Sequence, residues 1–121
     1  MRTTLLLLLC LGAGPAHGAP SSCLAKASDP DSFDACARKD ILPLEARRVH
    51  ALSALRTKYR ADPELLKLLE SSEDSWNVYR NAYCGAEAAA HGGVSDVERR
   101  RAYGACAKRT LEEHVKELES L

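Results

Sequence analysis

Aromatic side chains are scarce in this 121-residue chain, which has one tryptophan, one phenylalanine and four tyrosines. Long apolar runs are missing as well. The run Leu5 to Leu11 is too short to cross a bilayer, where about 20 apolar residues are needed, and it sits between Arg2 and the small-x-small triplet Ala16-His17-Gly18. That pattern of charged start, short apolar stretch and cleavage site reads as a secretory leader over residues 1–18, with no membrane span expected in the remainder. Cys10 lies inside the leader, but the bulky Leu9 before it and the nearby Arg2 argue against a lipid anchor there.

Neither sign of charge is in excess. The chain has 17 basic and 17 acidic residues, and loss of Arg2 with the leader leaves a net charge of −1. A balanced chain offers no general attraction for phosphates, so nucleic acid is not an expected partner. No Asn-x-Ser/Thr acceptor occurs. No Cys-x-x-Cys pair is present to support redox chemistry, and His50, His91 and His114 lie on separate segments without metal-ligand spacing. Ser-His-Asp signatures, phosphate-binding glycine loops and dinucleotide motifs are likewise absent. Acids at Glu70, Glu73, Asp74, Glu112, Glu113, Glu117 and Glu119 are too many for any two to stand out as a glycosidase pair. The expectation is a protein that is not an enzyme, with no cofactor and no metal.

What the chain does have is cysteine in an even number once the leader is removed: Cys23, Cys36, Cys84 and Cys106. In an oxidising compartment these imply two disulfides, which help a small domain with a limited core. Three pairings are compatible with the sequence; the local one, Cys23 with Cys36 and Cys84 with Cys106, is the expected arrangement. Each such loop contributes on the order of 3 kcal/mol through chain entropy.

The remaining residues read as helices. Ala19 to Ser28 is small and polar, an irregular arm carrying Cys23. Asp29-Pro30 is a cap followed by proline at the first helical position, opening a short helix through Asp40 that Pro43 breaks or bends. A second helix spans Leu44 to Arg60, with Leu52, Leu55 and Tyr59 on one face. Asp62-Pro63-Glu64 repeats the cap-and-proline signal. The helix that follows carries Leu65, Leu69, Ser72, Trp76, Tyr79, Tyr83, Ala86 and Ala90 at alternating steps of four and three, which predicts a buried seam. Gly92-Gly93 ends it, since glycine relieves the left-handed conformation common past a helix end. Ser95 and Glu98 form a capping box for a last helix with Val97, Gly104, Ala107, Leu111, Val115 and Leu118 along one stripe. Arg99-Arg100-Arg101 reads as a charged first turn balanced by Asp96 and Glu98. The fold class is therefore all-α, a small antiparallel bundle or hairpin of three to four helices stapled by two disulfides. If Cys84 pairs with Cys106, facing positions on the last two helices sum to 190. Trp76 then faces His114 or Val115, Tyr83 faces Ala107, and the turn centres near Ser95. On this reading Trp76, Tyr79 and Tyr83 are core residues, and Arg80 beside them makes an internal ion pair or a helix-end contact.

Trp76, Tyr79, Arg80 and Cys84, followed by Cys106, carry a resemblance. From Cys23 to Leu118 the chain resembles the lysozyme-inhibitor LprI-like family, whose members show a tryptophan, an aromatic-arginine pair and a cysteine on one helix and a second cysteine on the next. Leu118 fits a later leucine of that pattern, and Cys23 and Cys36 are similar to its earlier cysteine pair. The chain departs from it in the last helix, with Leu111 and His114 where members often have threonine and arginine, and in a more highly charged stretch from Val94 to Tyr103. The resemblance implies a helical domain over residues 19–121 that is secreted or periplasmic and binds a lysozyme-type peptidoglycan hydrolase. Acidic groups suit a basic hydrolase, which makes Glu70, Glu73 and Asp74 one candidate contact and the turn from His91 to Asp96 another. The alternative is a stapled adaptor of the cell envelope that binds a different protein.

Overall fold

A computed structural model describes residues 22–121; the expected leader over residues 1–18, Cys10 within it, and the start of the arm lie outside the described residues. Four helices follow one another: α1 (Pro30–Asp40), α2 (Leu42–Lys58), α3 (Pro63–His91) and α4 (Asp96–Ser120). Among the described residues there is no strand.

The helix starts follow the caps. Asp29 accepts from the Ser32 backbone N–H while its own backbone N–H donates to the Ser32 hydroxyl oxygen, closing a capping box at α1. Asp62 accepts from the Leu65 N–H at 3.0 Å at the start of α3. Ser95 and Glu98 form the expected box at α4, so that helix begins cleanly at Asp96 instead of fraying into the turn. Of the two glycines after α3 only Gly93 is left-handed, at φ 85°. Two boundaries move. Ile41 ends α1 and starts α2, so Pro43 occupies the first turn of α2 rather than the gap before it, where its missing N–H costs nothing. At the other end α2 stops at Lys58 with Tyr59 as its cap.

α4 is the central helix. It packs most extensively on α3 and next on α2, whereas α2 and α3 approach one another mainly through long side chains. The order is up-down-up, because the α2–α3 pairs Glu45–Arg80 and Arg56–Glu70 run antiparallel while Leu44 of α2 packs with Leu111 and Val115 of α4 and Leu55, further along α2, packs with Leu118 further along α4. α4 supplies three of the four largest fully buried side chains, Leu111, Val115 and Cys106; Cys84 of α3 is the fourth. Ala51, Leu52, Leu55 and Leu118 close one end, and Leu44, Leu111 and Val115 form the middle with Ile41 and Trp76 against them. A third cluster joins Leu24, Ala27 and Cys36 beneath the arm.

Both disulfides take the local pairing, Cys23–Cys36 and Cys84–Cys106, with Cα–Cα separations of 5.1 and 5.5 Å. The first ties the arm to α1. The arm is also held by Leu24 N–H to Asp40, by Arg101 donating to the Ala27 carbonyl, and by the fit of Leu24 onto Gly104, where a Cβ would lie 3.1 Å from the leucine. Among the described residues no helix is long and apolar enough to cross a membrane.

Candidate functional site

The α3 seam departs from the expected one. Leu69 and Trp76 do point inward, but Tyr79 is 58% and Tyr83 42% exposed, and Ala86 and Ala90 face solvent. The inward positions are instead Glu73, Trp76, Asn77, Arg80, Cys84 and Ala88. The cause is electrostatic. Glu73 and Arg80 look like surface residues in a hydrophobicity pattern, yet each finds a partner inside, so the helix turns that face toward α2 and α4.

The partners form one connected cluster in the space between α2 and α3. Arg48 of α2 reaches Glu73 at 2.6 Å and Glu45 at 2.7 Å, and Arg80 of α3 reaches Glu45 at 3.2 Å. His114 of α4 bonds Glu73 through Nε2 at 2.5 Å. Trp76 lies against the same groups, its ring stacked on His114 at 3.9 Å and the Arg80 guanidinium 4.8 Å from its centroid. Burial opposes ionisation of Glu45, but hydrogen bonds and charge from Arg48 and Arg80 outweigh it and hold the carboxyl below its ordinary range. Burial likewise opposes the charge on Arg48, and its bonds to Glu45 and Glu73 more than compensate. Two acids and two bases thus neutralise one another. A cluster so fully self-paired is built to join three helices, and its acids are not free to act on a substrate.

On the other side of Trp76 the surface opens. A groove of about 420 Å³ runs between α3 and α4. Trp76 and His114 line it, the stacked rings of Tyr79 and Tyr83 form one wall, and Arg109, Glu113 and Glu117 stand on the α4 side. Arg109 is held by Glu87 at 2.7 Å. A more apolar groove of about 410 Å³ lies beneath the arm, with Leu24, Phe33 and Leu111 among its walls.

Of the expected contact residues, Glu70, Glu73 and Asp74 line one groove of about 460 Å³ between α2 and α3, with Arg48 and Arg56 on its other side, while His91 lies elsewhere. Glu70 and Asp74 are exposed on α3, and Glu70 approaches Arg56 only at 3.9 Å. Glu73, grouped with them by sequence proximity, is 7% exposed and fully engaged, so it presents nothing to a partner. His91 is exposed at the end of α3, away from all three. Arg80 makes the internal ion pair. Within the triple arginine run, Arg99 pairs with Asp96 and Arg101 bonds the arm, while Arg100 is exposed. Among the described residues no three His, Cys, Asp or Glu side chains converge as a metal site would require. Sequence reasoning missed His114 and Arg48 as members of the buried cluster. The available signal was Cys84: once bridged to α4 it sets the inward phase of α3, and stepping back by four, seven and eleven residues reaches Arg80, Asn77 and Glu73.

Residues 23–118, which include both disulfides and the whole buried cluster, match the family model described as lysozyme inhibitor LprI. The chain belongs to the LprI family. Neither a curated protein nor a solved structure matches it. Within the LprI motif of this chain, Trp76, Arg80, Cys84 and Cys106 serve the interior, and Tyr79 alone is turned mainly to solvent.

Proposed function

We propose that this LprI-family protein is a secreted or periplasmic, non-enzymatic inhibitor that binds a lysozyme-type peptidoglycan hydrolase and occludes its cleft. The observation that carries the reading is the family match across residues 23–118. The structure is consistent with it in kind. An inhibitor must be rigid, so that ordering costs do not weaken binding, and this chain has a self-neutralised interior and two disulfides holding a surface with an aromatic groove. The paired cysteines suit an oxidising compartment, and the reading takes residues 1–18 as a leader removed on export.

The test is a titration of oxidised, purified protein into peptidoglycan lysis by lysozymes of several classes. Stoichiometric slowing of at least one class is the expected result. No slowing of any class at large molar excess, together with recovery of a different envelope protein in a pull-down, would replace this function with that of an adaptor.

A further inference from the structure

We infer that the groove between Trp76, Tyr79 and Tyr83 of α3 and Glu113, His114 and Glu117 of α4 is the inhibitory surface, and that it receives a basic side chain from the rim of the hydrolase cleft. The inference rests on the inhibitor reading above and adds to it the place and chemistry of contact.

Three observations converge on this groove. First, it is rich in acceptors that the fold leaves unused. Among the described residues Glu113 makes no salt bridge, and Glu117 approaches only His114, at 3.6 Å. The His114 ring is 8% exposed, and its Nδ1 has no hydrogen-bond partner, although most buried polar atoms have one. Its Nε2 is taken by the Glu73 carboxylate, and its Nδ1 lies 3.6 Å from the Glu117 carboxylate. The exposed carboxylates of Glu113 and Glu117 are thus open to a donor. The Arg109 charge is matched by Glu87, so the groove as a whole is acidic.

Second, the wall is aromatic and exposed. Tyr79 and Tyr83 lie 5.5 Å apart with 16° between their planes, and a guanidinium or ammonium over such rings is attracted by their faces. An arginine satisfies the whole arrangement, with its plane against the tyrosines and its N–H groups toward carboxylates.

Third, the groove opens onto a surface composed as interface centres are. From Ser75 to Ala90 every exposed residue of α3 is uncharged, Tyr79 and Tyr83 of the groove wall among them, in a chain that is 28% charged. Charge is depleted at interface centres and tyrosine is enriched there. The acidic pair Glu70 and Asp74, one stretch earlier on α3, has no such surroundings.

The experiment measures inhibition and direct binding of a basic lysozyme by the oxidised protein and by three variants. Y79A/Y83A and E113Q/E117Q change exposed side chains; circular dichroism and thiol titration verify that each retains its helices and both disulfides. Each should weaken binding by about tenfold or more, and E113Q/E117Q should also flatten the dependence on salt, since it removes the steering charges. V49S, an exposed apolar change on α2, should bind as the parent does. If the parent inhibits but both groove variants stay within twofold of it, the surface assignment is wrong and the inhibitor reading stands. Failure of the parent to bind overturns both. Quenching of Trp76, the sole tryptophan, by N-acetylglucosamine oligomers but not by the lysozyme would make the groove a glycan site and also overturn the assignment.

Discussion

The imidazole of His114 lies flat on the indole of Trp76, 3.9 Å between centroids and 11° between planes, while its Nε2 reaches back to Glu73. One α4 side chain therefore touches both the buried ion-pair cluster and the groove. The cluster fixes the imidazole by hydrogen bond and stacking, so the groove's floor is as rigid as the interior behind it.

Removing Glu73 should be among the most damaging single changes. It is 9% exposed as a side chain and bonds both Arg48 and His114. Truncation to alanine leaves the Arg48 charge with Glu45 alone and frees Nε2 of a buried histidine. Loss of one member of a buried pair costs about 3 kcal/mol or more. Denaturant midpoints of the parent and Glu73→Ala measure it; a shift as small as that of a surface glutamate would mean the cluster is solvated.

Why Glu73 was grouped with Glu70 and Asp74 follows from how sequence encodes burial. Helix starts were legible because caps are local: Asp29, Asp62 and Ser95 each act within three residues. The facing of Trp76 with His114 was legible because a Cys84–Cys106 bridge between antiparallel helices, the local one of three possible pairings, sets register over many turns. The phase of α3 was not, because the interior between α2 and α3 is filled by charged side chains that cancel in pairs. A hydrophobic pattern places Tyr79 and Tyr83 inside and Arg80 and Glu73 outside. Complementary charge on α2, which the pattern does not see, reverses that order. The groove was hidden for the same reason, since it exists only once the tyrosines face outward.

Glu45 gives the cluster a pH signature. Its folded-state carboxyl titrates below the ordinary value of 4.5, burial notwithstanding, because Arg48 and Arg80 favour the ionised form. A lowered folded value means stability that is present above pH 4.5 and is lost as the pH falls through the folded value. Other acids, Asp29, Glu87 and Glu98, are shifted in the same direction, so the parent's acid sensitivity is a composite. The comparison is therefore with Glu45→Gln. Its stability should fall less steeply than the parent's between pH 5 and 3, and parallel curves would show that Glu45 does not titrate with the fold.

The Cys84–Cys106 bridge closes a 22-residue separation across the α3–α4 turn, and both sulfurs are fully buried. Replacing the pair by serine should lower stability by about 3 kcal/mol from chain entropy, with a further penalty for hydroxyls in a dry site. The Cys23–Cys36 bridge holds the arm and α1, outside the α2–α3–α4 core. Its removal should raise hydrogen exchange over residues 22–40 while leaving protection near Leu111 and Val115 close to the parent's. Equal loss of protection in both regions would show the arm to be part of the cooperative core.

Two glycines separate backbone cost from packing cost. Gly85 lies inside α3, exposed, and a Cβ placed there meets nothing within 4 Å. Alanine should therefore stabilise the protein by about 0.5–1 kcal/mol, the entropy that glycine loses on entering a helix. Gly93 is the opposite case. At φ 85° an alanine is strained, and its Cβ would lie 2.7 Å from the Glu98 carboxylate that caps α4. Gly93→Ala should lower stability by about 1 kcal/mol or more, from the left-handed strain and from disturbing the capping box. Thermal unfolding of the two variants should move in opposite directions. If both rise, the turn is free to relax and the start of α4 is not held by Glu98.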